Sequence, residues 1–389
     1  MKNERNSLPL KWIVRSFYLV CVVLSYSEDE SRPRQNVYKI VDTLIVVFLI
    51  YVICNDLFLF SVFYETNGNQ WKPFGFLIAA LSGDLCSLSI RLVLIAKRQH
   101  IAKTLRNVFS LYRKLETERD IKCHVTSLTS AFALSWIIPL ILYIKSAIFA
   151  VTDKGSREFQ MKVLFGYYSQ DNWGVMCGLF INLFLLQQLY AMPGYAAGLC
   201  YYAYKILTAA IENVEKNLRR KSDLASLYNA YINLTSKLID CIDEVEHALS
   251  VLLFLLYTYI ISFIFTIITL LIRIAPQSNS LGYVLINSII VFTAFVAFFG
   301  LSFQSVYVHK AAVRIRRTIY RMCSKISWPT DENEDAVRLL LLTASDTFPT
   351  KVLITGWNMF ELNECFILQT TGAIVSYGTI VSQLGSYNN

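Results

Sequence analysis

The chain has 389 residues, 55% of them hydrophobic and only 16% charged, with a mean hydropathy of +0.45. Soluble domains carry about a quarter charged residues, so this composition excludes an ordinary water-soluble protein and points to an all-α membrane protein. The net charge of +8 calls for no nucleic-acid partner, because membrane topology accounts for where the basic residues lie.

Residues 1–38 are polar and basic apart from an apolar stretch at 12–25. Lys11 and Arg15 interrupt its start and no small-residue cleavage site follows, so it reads as a helix lying on the inner leaflet rather than a leader peptide. Seven stretches are then long and apolar enough to span a bilayer: 39–63, 73–96, 126–151, 172–204, 249–273, 281–304 and 365–385. The fourth is longer than a bilayer needs and contains Pro193-Gly194, which predicts a kink.

Lys and Arg between the spans set the orientation. Twenty-eight fall in one set of alternating compartments and four in the other. The positive-inside rule then puts the N-terminus in the cytoplasm and the C-terminus outside. Asn233-Leu234-Thr235 falls in the cytosol, where a glycosylation sequon stays bare. The orientation opposes that of a G-protein-coupled receptor.

The long inner loops carry helical seams. Ile101, Leu105, Val108, Tyr112 and Leu115 form one, and Leu224, Leu227, Tyr231, Leu234, Leu238, Ile242, Val245 and Leu249 a second. Val308, Ala312, Ile315, Ile319, Met322 and Ile326 form a third. Amphipathic helices bury such stripes, so these segments are expected to form an anchor bundle below the membrane. On another face of the third seam lie Lys310, Arg314, Arg317, Arg321 and Lys325, read as a lipid-facing or solvated stripe. An acidic run at 331–335 precedes a further helix over 337–345. The domains are therefore 1–38, the cytoplasmic segment; 39–304, six spans forming a ligand-binding bundle; 305–364, anchor helices; and 365–389, the last span with a short external tail.

No catalytic or metal constellation emerges. The nine cysteines include no CxxC, and His100, His124, His247 and His309 lack ligand spacing. Neither an enzyme nor a cofactor is expected. Within the spans, Asp84 is a buried-depth carboxylate, which by default signals function. Arg91 is two helical turns away, too far for an ideal pair within the helix. Trp136, Tyr259 and other aromatics of the outer halves, with Asn182, Thr266 and Asn287, have the composition of a pocket between helices.

The last span carries Gln369, Gly372, Ser376, Thr379 and Gln383 at alternating spacings of three and four, on one helical face, with Ile367, Ile374 and Val381 on another. Lipid cannot satisfy such a polar stripe, which leaves either helix packing or a water-filled path.

This ending resembles the insect gustatory receptor family, relatives of the odorant receptors. Members carry Thr-Tyr, five mostly apolar residues and Gln-Phe in the last span. Ser376-Tyr377, residues 378–382 and Gln383-Leu384 fill that frame here, with Ser for Thr and Leu for Phe. The approach over residues 356–363 and the N-terminal Leu8-Pro9-Leu10 are also similar. The resemblance implies a tetrameric, ligand-gated, non-selective cation channel in the plasma membrane of a chemosensory neuron, in contact with membrane lipids. A homotetramer, or a heteromer with related receptors, would bind a small tastant among spans two to six. Gln369, Gly372, Ser376, Thr379 and Gln383 would line its pore, with Gln383 and Leu384 at the gate. Bitter plant compounds are the expected ligand class. An odorant receptor working with a co-receptor is the nearest alternative, followed by a G-protein-coupled receptor or a transporter.

Overall fold

A computed structural model describes residues 17, 32–67, 74–115, 135–137, 139–144, 172–273, 281–325 and 332–386. The expected interfacial helix lies outside these except for Phe17, which is fully buried, edge-on to Tyr195 at 5.5 Å. Most of the third expected span also lies outside them.

The helices in chain order are α1 (Arg32–Asn67), α2 (Phe74–Leu115), α3 (Ser135–Ile144), α4 (Asn172–Leu186), α5 (Met192–Arg219), α6 (Leu224–Arg273), α7 (Leu281–Lys325), α8 (Glu332–Lys351) and α9 (Glu364–Ser386). One π-helical turn, Gln187–Ala191, joins α4 to α5. A two-stranded antiparallel hairpin, β1 (Thr355–Gly356) and β2 (Phe360–Glu361), precedes α9. Five of the helical stretches are long and apolar enough to cross a membrane among the described residues: Asn36–Leu59, Trp173–Arg219, Leu224–Thr269, Asn287–Lys325 and Glu364–Gln383. The expected span 73–96 is the first half of α2, and of 126–151 only α3 is described.

The helices run through the domain boundaries expected from hydropathy. Residue 38 lies inside α1 and residue 304 inside α7, because a helix whose apolar stripe continues need not end at the lipid surface. At about 1.5 Å per residue, the 50 residues of α6 extend roughly 75 Å, more than twice the hydrocarbon thickness.

Below the spans, the predicted seams form the core. Ile101, Leu105 and Val108 of α2, Leu227, Leu238, Ile242 and Val245 of α6, and Val308, Ala312, Ile315 and Ile319 of α7 are all buried in one cluster. There, removal from water stabilises by about 1.5–3 kcal/mol per large apolar side chain. α5 contributes Ala196, Ala203 and Ala210 at heptad spacing, all with zero exposure, which lets α7 and α2 approach closely.

Two local features depart from expectation. α8 continues through Pro349 to Lys351, rather than ending near 345. The chain then turns through the hairpin before entering α9. Trp357 and Asn358 adopt left-handed backbone (φ 51° and 55°), and Met359 N–H donates to Gly356 O at 2.9 Å. Such φ values cost a tryptophan on the order of 1–2 kcal/mol. Trp357 N–H donating to Ser250 O at 3.2 Å, and its ring edge-on to Phe254 at 5.5 Å, offset that cost. Thr355 is tied to the carboxylate of Glu246. The ring of Phe360 lies where a Cβ on Gly356 would stand, so any larger residue there would have to displace that ring. The hairpin is thereby fixed to α6 just ahead of the last helix.

Candidate functional site

The π turn explains how the fourth expected span accommodates Pro193. Met192 N–H donates to Gln187 O, five residues back. Proline has no N–H, so the carbonyl it would have served goes without: Gln188 O in the π register, Leu189 O in the α register. Both receive side-chain donors from neighbouring helices, Gln188 O from Ser87 Oγ at 2.9 Å and Leu189 O from Tyr259 OH at 2.5 Å. The expected proline kink is thus a re-wound turn, held by α2 and α6. One residue on, a Cβ at Gly194 would stand 2.6 Å from Ser135 Cβ, so α3 packs directly on the backbone of α5.

Beside this turn is a cavity of about 90 Å³. Its walls include Ser135, Tyr190, Gly194, Tyr259, Phe263 and Thr293, from α3, the π turn, α5, α6 and α7. Tyr259 and Phe263 stack with centroids 5.9 Å apart, and Tyr190 meets Phe263 edge-on at 5.4 Å. No charged side chain lines it. Thr293 Oγ1 donates to Ile289 O in its own helix and the Tyr259 hydroxyl to Leu189 O, leaving hydroxyl lone pairs to face a ligand. The chemistry suits a small, neutral, mostly apolar molecule.

Of the pocket residues expected from sequence, the structure brings Tyr259 and the aromatic Phe263 to this cavity. Trp136 turns inward and donates from Nε1 to Tyr195 OH at 3.1 Å. Thr266 bonds Ser262 O in its own helix. Asn182 and Asn287 are buried, on α4 and α7, outside the lining. Asp84 is buried on α2, beside Asp56 of α1.

Arg91, the fully buried cation of α2, finds partners on two other elements. Its Nη1 donates to Gln188 Oε1 at 2.7 Å, and Nη2 lies 3.5 Å from Asp42 of α1. Asp42 also takes Arg98 at 3.2 Å. A buried ion needs such company, and this group ties the π turn to α1 and α2.

The last helix is seated on one side only. Asn363 Oδ1 accepts Phe366 N–H at 2.9 Å and caps its start. Ile367, Ile374 and Val381 are buried, at 9%, 3% and 5% exposure, while Gln369, Gly372, Ser376, Thr379 and Gln383 all face outward. Leu384 belongs to α9, but its side chain is outside the described residues. Tyr377 faces α6. Its hydroxyl is 2.8 Å from Thr269 Oγ1 and its ring 4.5 Å from that of Phe265. The stretch of α6 from Tyr259 to Thr269 therefore connects cavity and last helix.

Arg91 with Asp42 and Gln188, the π turn, and the Phe265–Thr269 seat of Tyr377 went unassigned in the sequence. The two glutamines at 187 and 188, polar inside a span and just before Pro193-Gly194, are the signal that marks the turn.

No protein-family model and no curated protein matches the sequence. Among solved structures, the chain resembles the insect olfactory receptor OR5 from Machilis hrabei, with a TM-score of 0.67 at 12% identity over 96% of this chain and 97% of that one. The same receptor in complex with eugenol gives 0.68 at 13% identity over the same shares. The fold is therefore the all-α, membrane-embedded fold of an insect olfactory receptor.

Proposed function

We propose that the chain is a subunit of a ligand-gated, non-selective cation channel of the insect chemosensory kind, acting as a gustatory receptor. One observation carries the channel reading. A membrane-length helix buries its apolar face on α6 and turns outward a full-length polar stripe that lipid cannot satisfy. Four copies around an axis would place Gln369, Gly372, Ser376, Thr379 and Gln383 along a pore, with Gln383 and Leu384 at its outer constriction. The charge asymmetry supports an inside N-terminus and an outside C-terminus.

A ligand opens such a channel only by binding the open state more tightly than the closed one. The cavity touches α6 at Tyr259 and Phe263, and the same helix holds Tyr377 through Thr269. A shift of α6 on ligand binding would move the last helix about its buried face. The uncharged lining supports a neutral, largely apolar tastant of the bitter kind over a sugar or a cationic amine. Asp84, Trp136, Asn182, Thr266 and Asn287 lie outside the lining and are not proposed as ligand contacts. The likeness to a receptor solved with eugenol supports a small-molecule ligand.

The fold serves an odorant receptor equally well. What favours taste is the ending, Ser376-Tyr377 and Gln383-Leu384. The test is a calcium-influx and whole-cell current screen of the chain expressed alone and with an odorant co-receptor. Currents from the chain alone support the taste reading; currents only with the co-receptor support the odorant one. In the responding form, Gln383→Ala and Leu384→Ala are expected to change gating or ion selectivity. Unchanged currents in both would remove these residues from the gate.

A further inference from the structure

The basic stripe on α7 divides into two halves. Its upper members are neutralised within the chain. Lys310 pairs with Glu364 at 2.5 Å, and Arg314 with Glu212 at 2.5 Å and Glu215 at 3.7 Å. The lower members, Arg321 and Lys325, have no acidic partner within 4 Å among the described residues. They line a cavity of about 590 Å³ between the end of α7 and the turn from α5 to α6, together with Arg219, Lys221, Ser222 and Thr318.

No carboxylate is in that lining. The acids beside it among the described residues are engaged elsewhere. Glu215 accepts from Arg219 at 2.5 Å and Thr318 Oγ1 at 2.9 Å. Asp223 caps α6, accepting Ser226 N–H at 2.8 Å, and those bonds and Lys221 hold its carboxyl below the usual range. The C-terminal ends of α5 and α7 each favour one nearby cation. They do not account for Arg321, a turn earlier, and Lys221, past the end of α5, converging on the same space.

We infer that the cavity bounded by Lys221, Arg321 and Lys325, with Arg219 at its edge, binds a compact soluble polyphosphate. Arg321 and Lys325, with no acidic partner within 4 Å among the described residues, supply the charge together with Lys221, and the guanidinium of Arg321 suits bidentate contact with phosphate oxygens. A volume of this size admits several phosphate groups on one scaffold. A lipid headgroup carries the same chemistry, but distance opposes it. Taking α7 to leave the hydrocarbon near residue 304, Lys325 lies roughly 30 Å further along the helix. That is several Debye lengths at physiological salt, beyond the reach of the leaflet's charge. The depth argument rests on the membrane reading above; the binding test does not, because it uses purified protein and needs no channel activity.

The test is thermal denaturation of the purified full-length protein in detergent, with inositol hexakisphosphate as the probe and sulfate at matched ionic strength as the control. The expected result is an upward shift of about 3 °C at saturation, absent with sulfate. Arg321→Glu with Lys325→Glu should raise the half-saturating concentration at least tenfold. Arg317→Glu, on the same helix but outside the cavity, should leave it unchanged. No shift in the wild type, or equal loss in both variants, overturns the site. In nanodiscs, stabilisation by phosphoinositide-containing lipid while the soluble probe has no effect overturns the soluble-ligand assignment.

Discussion

Arg91 and Tyr259 each serve a group that would otherwise be buried without a partner. Removing the Arg91 side chain leaves Asp42 with Arg98 alone and strips Gln188 Oε1 of its donor. Breaking a buried pair in this way costs about 3–5 kcal/mol, so Arg91→Ala should lose most of its cell-surface pool, measured by surface biotinylation. Tyr259→Phe deletes only the hydroxyl that serves Leu189 O. The loss should be near 1 kcal/mol, with the protein still at the surface and the ligand dose–response displaced. An unchanged response would separate the π turn from the ligand site. The sequence marks Asp84 and Arg91 as intramembrane charges. It does not pair them, because Asp42 with Arg91 and Asp56 with Asp84 are contacts between helices, and spacing within one helix carries no information about them.

Elements whose structure depends on periodicity are the ones legible in the sequence. The seams of α2, α6 and α7 repeat at three and four residues, and their described members are buried, Leu234 and Met322 only partly. The stripe of α9 reads equally well, with Ile367, Ile374 and Val381 inward. The π turn and the hairpin are different in kind. Each exists because another helix supplies a donor or acceptor, Ser87 and Tyr259 for one, Glu246 and Ser250 for the other. Local composition shows only that Pro193-Gly194 interrupts a span. The close approach of α3 and α5 gives a test at this scale. Gly194→Ala puts a methyl 2.6 Å from Ser135 Cβ, so α3 must move and the cavity change shape. Ligand response should fall while surface expression persists, and adding Ser135→Gly, which removes the opposing atom, should restore it. Failure of that rescue would place the defect elsewhere.

At the scale of the molecule, hydropathy and the distribution of Lys and Arg are enough to specify a helical membrane protein with a bundle beneath it, because both signals are summed over many residues. The same sums say nothing of which helices touch. The fold supplies that: α9 packs on α6 and, near its start, on α7, and leaves Leu368, Val375 and Ile380 exposed. A second helix of another copy beside these apolar residues, and water along the polar stripe, would complete its surroundings. On the proposed function, a ligand in the cavity on α6 and a pore helix seated on α6 would make that helix the link between binding and opening.

The pore is the claim on which the function turns, and substituted cysteines test it most directly. With the exposed Cys365 replaced by serine, Ser376→Cys and Thr379→Cys should each make ligand-evoked current sensitive to block by a charged, membrane-impermeant thiol reagent. Ile374→Cys, buried against the bundle, should stay insensitive. Block at the stripe and none at Ile374 is the predicted pattern. Current that no stripe position can block, with the cysteines present at the surface, would contradict a pore lined by the last helix.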